Sequence, residues 1–243
     1  VNNLKIKIYA DGANKETMLE MKKNPFIKGF TTNPTLMRKA GVEDYECFAK
    51  EMVKQLPQYP ISFEIIADDF DEMYEQARII SSWGANVYTK IPITNTQGYS
   101  SIPLIKKLAH DGIQQNITAI MTLKQIEDSV RALKEGPSSY ISVFAGRIAD
   151  TGRDPYPIMK NALQIMHPYP QLELIWASPR ELLNIFQAAQ MGCHIITVTD
   201  DILKKLYLIN RDLNEYSLET VKMFYDDAQR AGFELQYAQT ENT

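Results

Sequence analysis

A lysine stands near the end of an apolar, β-branched run, Asn86-Val87-Tyr88-Thr89-Lys90-Ile91-Pro92-Ile93-Thr94. Such a run reads as a buried strand, and strands seldom bury an ammonium group without a use for it. Burial disfavours the charged form of a lysine. That makes Lys90 a candidate amine nucleophile toward a carbonyl, the opening step of Schiff-base chemistry. The alternative for a strand-end lysine is that only its stem packs while the ammonium extends to solvent.

Other polar groups fall at corresponding places along the chain: Asp11, Asn33, Glu64, Asn116 with Thr118, Arg147, and Ser178 with Arg180. A Schiff-base aldolase needs such a set. The iminium is an electron sink, a carboxylate handles the hydroxyl proton as the carbon–carbon bond breaks, and further groups move protons during imine formation. Asp11 and Glu64 are the acids that fall near the lysine strand, and both suit proton transfer. Asn33, Asn116 and Thr118 suit sugar hydroxyls or a catalytic water. Arg147 and Arg180, with Ser178 and the N–H groups of a helix start, suit a phosphate. Each has a plainer alternative: Asp11 as a turn or cap residue, Asn33 before Pro34 as a helix start, the arginines as surface ion pairs. His110, His167 and His194 have no paired spacing, which argues against a zinc site. No Walker-type or GxGxxG sequence is present.

These residues must be positioned by regular elements. Short apolar runs predict strands at 5–10, 29–32, 61–66, 86–93, 116–121, 140–145, 173–177 and 194–198. Helix-period segments lie between them, including 70–83, 123–134 and 179–191. That alternation is the signature of a parallel sheet wrapped by helices, and eight strands close a (β/α)8 barrel of the TIM class. Seven of the eight strands then deliver a polar group to the C-terminal face, where the active sites of such barrels are built. In the third of these helices Ser178 is expected to cap, Pro179 to begin and Gly192 to end the helix. Residues 149–157 read as a polar loop after the sixth strand, and a further helix is expected at 217–232, packed on the barrel or reaching a neighbouring subunit.

Length and composition agree with one domain spanning 1–243. The 243 residues suffice for a filled core, and a net charge of −4 with 44% hydrophobic and 23% charged residues gives no pull toward nucleic acid or an anionic membrane. Cys47 and Cys193 form neither a disulfide framework nor a metal spacing, and residues 1–7 lack the layout of a signal peptide. A cytoplasmic location, with no membrane span, is the expectation.

The segments Tyr9-Ala10-Asp11, Gly29-Phe30-Thr31-Thr32-Asn33-Pro34-Thr35, Phe63-Glu64-Ile65, Thr89-Lys90-Ile91-Pro92-Ile93-Thr94, Asn116-Ile117-Thr118-Ala119, Gly146-Arg147-Ile148, Ala177-Ser178-Pro179-Arg180 and Gly192-Cys193 stand in order along the chain. Together they resemble the transaldolase family, especially its small subfamily that includes fructose-6-phosphate aldolase. The resemblance implies a (β/α)8 barrel that acts on sugar phosphates, without a metal or organic cofactor, and often assembles as a homo-oligomer. It gives Lys90 the Schiff base, Asp11 the acid/base step of cleavage, and Glu64 with Thr118 the catalytic water. Asn33 and Asn116 match residues that bind hydroxyls or orient the lysine, and Ser178, Arg147 and Arg180 match the phosphate site. The aldolases resemble one another in having glutamine where this chain has Glu64 and tyrosine where it has Phe144, and both positions here side with transaldolase. Two alternatives remain at this point: an aldolase that releases dihydroxyacetone, and a barrel that binds sugar phosphate without turnover. Pro179 departs from the aromatic residue common between the serine and the basic residue, and Arg153 adds a basic residue where family members vary.

Overall fold

The computed structural model describes residues 5–235. Eight parallel strands close in sequence order into a barrel: β1 (Lys7–Asp11), β2 (Ile27–Thr31), β3 (Ile61–Glu64), β4 (Val87–Pro92), β5 (Gln115–Ile120), β6 (Ser139–Val143), β7 (Leu172–Trp176) and β8 (Ile195–Thr199). β8 returns to β1 with Lys7 opposite Ile195 and Asp11 opposite Thr199. The architecture is the expected (β/α)8 barrel.

The two faces of each strand have different neighbours, which is why a strand can be buried throughout and still carry polar residues. Thr89 Oγ1 donates to Ala77 O in the helix Phe70–Ser81, and Gln115 Nε2 donates to Ile105 O in the helix Ile102–His110. Those residues therefore face outward. Their neighbours at alternate positions, Tyr88 and Lys90 on β4 and Asn116 and Thr118 on β5, face the barrel interior. The wrapping helices are amphipathic as expected. Phe70–Ser81 buries Met73, Ala77 and Ile80, and Leu123–Leu133 begins with a Thr122/Gln125 capping box and buries Ile126, Val130 and Leu133.

One inward step below the polar ends, the interior is closed by aromatic rings. Tyr88 stacks on Tyr140 with centroids 4.0 Å apart, Tyr9 meets Tyr140 edge-on at 5.9 Å, and the Tyr9 and Tyr140 hydroxyls lie 2.9 Å apart. Ile175, Ala177 and Ile195 complete this cluster, with Phe144 packed against it. Gly29 makes room for the layer: a Cβ there would stand 2.6 Å from the Tyr9 ring.

Three expectations about helices need correction. The helix expected at 179–191 spans Leu183–Met191. Ser178 has φ +59, in the left-handed region rather than the extended conformation of an N-cap, so it does not cap the helix and Pro179 does not begin it. Asn184 Oδ1 instead accepts from the N–H groups of Arg180 and Glu181 just upstream of the helix. Gly192 does end the helix, at φ +85. The expected loop at 149–157 is shorter, because a helix Ala145–Asp150 precedes it and the helix Tyr156–Met166 takes up its end. The tail helix runs over Leu213–Ala231, starting earlier because Asp212 caps it by accepting from Asn214 N and Glu215 N.

The chain divides into two compact units, the first ending at Lys204 and containing the barrel, the second beginning at Lys205. The second holds the 3-10 turn Leu206–Leu208 and the helix Leu213–Ala231, in which no residue is buried and Leu218, Val221, Phe224 and Tyr225 are exposed. Among the described residues, no helix is long and apolar enough to cross a membrane.

Candidate active site

At the C-terminal ends of the strands lies a cavity of about 640 Å3 whose wall includes Asp11, Asn33, Glu64, Lys90, Thr118 and Phe144, and also Arg147, Ser178 and Arg180. Nine of the ten side chains expected at the site are thereby brought together. The tenth, Asn116, is fully buried just beneath, donating from Nδ2 to Ser62 Oγ at 3.0 Å and accepting from Ser142 Oγ at 2.6 Å. Its amide ties β3, β5 and β6 under the lysine, and in the β4–β5 register it lies opposite Lys90.

Lys90 is only 6% exposed, so its ammonium does not extend to bulk solvent. Nζ donates to Thr32 O at 2.9 Å and lies 3.0 Å from Glu64 Oε2. The pairing follows from register, because Glu64 and Lys90 are direct neighbours across β3 and β4. A lysine this deep needs both partners, since one uncompensated charge in such a place costs several kcal/mol, roughly 3–5.

Asp11 accepts from Thr31 Oγ1 at 2.7 Å, and Thr31 Oγ1 in turn bonds Thr197 Oγ1. Burial pushes the Asp11 carboxyl above the usual aspartate range. The Lys90 charge and the Thr31 hydrogen bond oppose this, the Glu64 charge reinforces it, and burial prevails.

Thr118 sits on a bulge. From Ile117 to Ile120 β5 uses one residue more than β6 does between Ile141 and Val143, and Ala119 adopts φ +61. Thr118 is 2% exposed, and its Oγ1 has no hydrogen-bond partner among the described residues. A buried hydroxyl on a cavity wall with no protein partner suits a water or a ligand oxygen.

Asn33 has two uses. Its Oδ1 caps the helix Pro34–Lys39 by accepting from Leu36 N, and its amide NH2 remains for the cavity it lines. The helix-start reading of this residue is met, and its place on the wall leaves it in reach of a ligand.

On the far wall, Phe144 precedes the helix Ala145–Asp150, and the Arg147 guanidinium lies 6.0 Å from its ring centroid. Ser178 follows β7. Gly146 lets these two strand ends approach, because a Cβ there would lie 1.5 Å from Ser178 O. Arg180 lines the cavity and is paired with Asp150: Nε donates to Oδ1 at 2.9 Å and Nη2 engages Oδ2. Arg153 is exposed, bonds Thr151 Oγ1 and is not on the wall.

Among the contributors that the sequence reading does not assign to the site, four stand out. Thr197 on β8 is the polar group of the one strand that had supplied none, and the period-two spacing of Thr197 and Thr199 was its signal. Thr31 was hidden inside the Thr-Thr-Asn-Pro run. Lys39 reaches the wall from a helix end and Asp150 meets Arg180 across two loops. No local pattern marks either.

With the geometry in place, comparison with known proteins is informative. The family described as transaldolase/fructose-6-phosphate aldolase matches over residues 8–242. A probable transaldolase of Streptococcus equi subsp. zooepidemicus is 34% identical over 225 residues, covering 91% of this chain and 97% of the relative. A probable transaldolase of Streptococcus pyogenes serotype M5 is 35% identical over 202 residues, covering 83% and 90%. Among solved structures, a 2,3-dimethylmalate lyase superposes with TM-score 0.55 at 10% identity, over 100% of this chain and 88% of that one, a likeness of fold alone.

Proposed function

The chain belongs to the transaldolase/fructose-6-phosphate aldolase family, and from that premise we propose that it is a transaldolase. In this reading it moves a dihydroxyacetone unit from a ketose phosphate, such as fructose 6-phosphate or sedoheptulose 7-phosphate, to an aldose phosphate. The observation that carries it is the buried Lys90 amine, held between the Glu64 carboxylate and the Thr32 carbonyl on the wall that also carries Asp11.

The steps follow from that arrangement. Glu64 takes a proton from Lys90, and the free amine adds to the C2 carbonyl of the ketose. Glu64 then gives that proton to the carbinolamine hydroxyl, which leaves as water bonded by Thr118, and an iminium remains. Asp11 takes the C4 hydroxyl proton, the C3–C4 bond breaks, and its electron pair moves into the iminium to give an enamine. The aldose phosphate departs. The enamine carbon then attacks the acceptor aldehyde, Asp11 returns its proton to the new alkoxide, and water hydrolyses the iminium to free Lys90. Arg147, Arg180 and Ser178 hold the phosphate, while Asn33 donates to a substrate hydroxyl.

Glu64 and Phe144 favour transfer over release. The Phe144 ring has no hydroxyl to bond the catalytic water, so capture of the enamine by an aldehyde outruns its protonation and the release of free dihydroxyacetone.

Two experiments test the reading. Borohydride with fructose 6-phosphate should add a reduced three-carbon unit to the Lys90 peptide and nothing to Lys90→Met; an adduct that survives the substitution removes the mechanism. In a coupled assay, glyceraldehyde 3-phosphate release should depend on erythrose 4-phosphate. Equal release without it would make the protein an aldolase.

A cytoplasmic location and assembly as a homo-oligomer are part of the same reading. Support for the assembly is the helix Leu213–Ala231, which buries none of its apolar residues. Light scattering on the purified chain measures the assembly.

A further inference from the structure

The helix Ala145–Asp150 brings Arg147 to the cavity wall and carries Asp150 three residues further on. Arg180 comes from the turn after β7. Its Nε donates to Asp150 Oδ1 at 2.9 Å, its Nη2 engages Asp150 Oδ2, and its Nη1 has no hydrogen-bond partner among the described residues. A guanidinium gripped by two of its three nitrogens has a fixed plane, with the third nitrogen left for another acceptor.

Arg180 stands between two cavities. It also lines a second cavity of about 280 Å3, together with Trp176, Asp154 and Glu181. Both carboxylates there attract a guanidinium. The side-chain hydrogen bonds that restrain the guanidinium are those to Asp150.

We propose that Asp150 is a positioning residue for phosphate recognition: its bidentate grip fixes the Arg180 guanidinium at the wall of the main cavity and leaves Nη1 for the substrate's phosphate. The inference rests on the sugar-phosphate reading given above. A carboxylate beside a phosphate site also repels the ligand, and the two effects have opposite signs. Both partners are about half exposed, side chains 46% and 51%, so solvent screens the repulsion and weakens the ion pair alike, while the bidentate geometry still orders the long side chain before the ligand arrives. Ordering wins.

The test compares fructose 6-phosphate with unphosphorylated fructose as donor, in wild type, Asp150→Ala and Asp150→Asn. With Asp150→Ala the KM for fructose 6-phosphate should rise about two- to tenfold, the cost of ordering one long side chain at binding. KM rather than kcat should carry the change, and the preference for the phosphorylated donor should fall accordingly. Asp150→Asn keeps one acceptor for Nε and should fall between the two. A lower KM in Asp150→Ala would show that the carboxylate competes with phosphate and would overturn the proposal. An unchanged KM, with the wild-type preference for fructose 6-phosphate intact, would overturn the proposal alone. A wild type that does not discriminate between the two donors would overturn the sugar-phosphate reading and this inference with it.

Discussion

Asp11 is where function and stability pull against each other. Its carboxyl is raised because burial outweighs the help from Lys90 and Thr31. Between the ordinary aspartate value and the raised one, the folded protein binds more protons than the unfolded chain, so stability falls as pH rises through that window and stays lowered above it. Asp11→Asn keeps an acceptor for Thr31 and removes the charge. The variant should therefore be more stable than wild type in urea at neutral pH, with the difference vanishing below the ordinary aspartate value. Its bond cleavage should be slower by about 10²–10⁴-fold, while borohydride still traps substrate on Lys90. In wild type the acid limb of the rate profile should lie at higher pH than a free aspartate would give, since cleavage in the proposed mechanism needs the ionised carboxylate. A limb at the ordinary position, or a variant no more stable than wild type, would contradict the burial argument.

At the level of elements, the turns after β6 and β7 form one device, and Gly146 is its hinge of contact. A Cβ at Gly146 would meet a backbone oxygen, Ser178 O, and a backbone atom cannot swing aside as a flexible side chain can. Gly146→Ala should cost about 1–3 kcal/mol or more of stability. It should also raise KM for phosphorylated donors, because moving these turns apart displaces Arg147 and Arg180 together; unchanged thermal unfolding and KM would show that the two turns are not in contact. The same turns show why sequence reading stopped where it did. Strands were legible because their apolar runs are local and their alternation is strict, and the polar group just past each run marked the site. The serine–proline pair at 178 and 179 looked like a helix start because both residues suit one. The left-handed backbone of Ser178 goes with the close approach of its carbonyl to Gly146, a contact across 32 positions of chain that leaves no local trace. Asp150 was invisible for the same reason, its partner Arg180 lying in a different loop.

On the scale of the molecule, closure of the barrel unites these parts. β1 lies between β2 and β8, so Thr31 and Thr197, far apart in sequence, share a hydrogen bond beside Asp11. The seam is reinforced at its other end by Lys7, whose Nζ contacts both carboxylate oxygens of Glu173 at 2.7 and 2.9 Å. Eight strand signals were enough to anticipate closure. They could not indicate which side chains would become neighbours across the seam, since that depends on register.

Tyr88 stacked on Tyr140, with Tyr9 edge-on to it, closes the inner end of the chamber, the three residues being only 1–8% exposed. A vessel with a single doorway cannot pass donor and acceptor through from opposite sides. In the mechanism proposed above, the first aldose leaves by the opening through which the second arrives, while the three-carbon fragment stays fastened to Lys90. That mechanism predicts ping-pong turnover, and double-reciprocal plots at several fixed acceptor concentrations should be parallel. Lines that converge would mean that both sugars are inside at once.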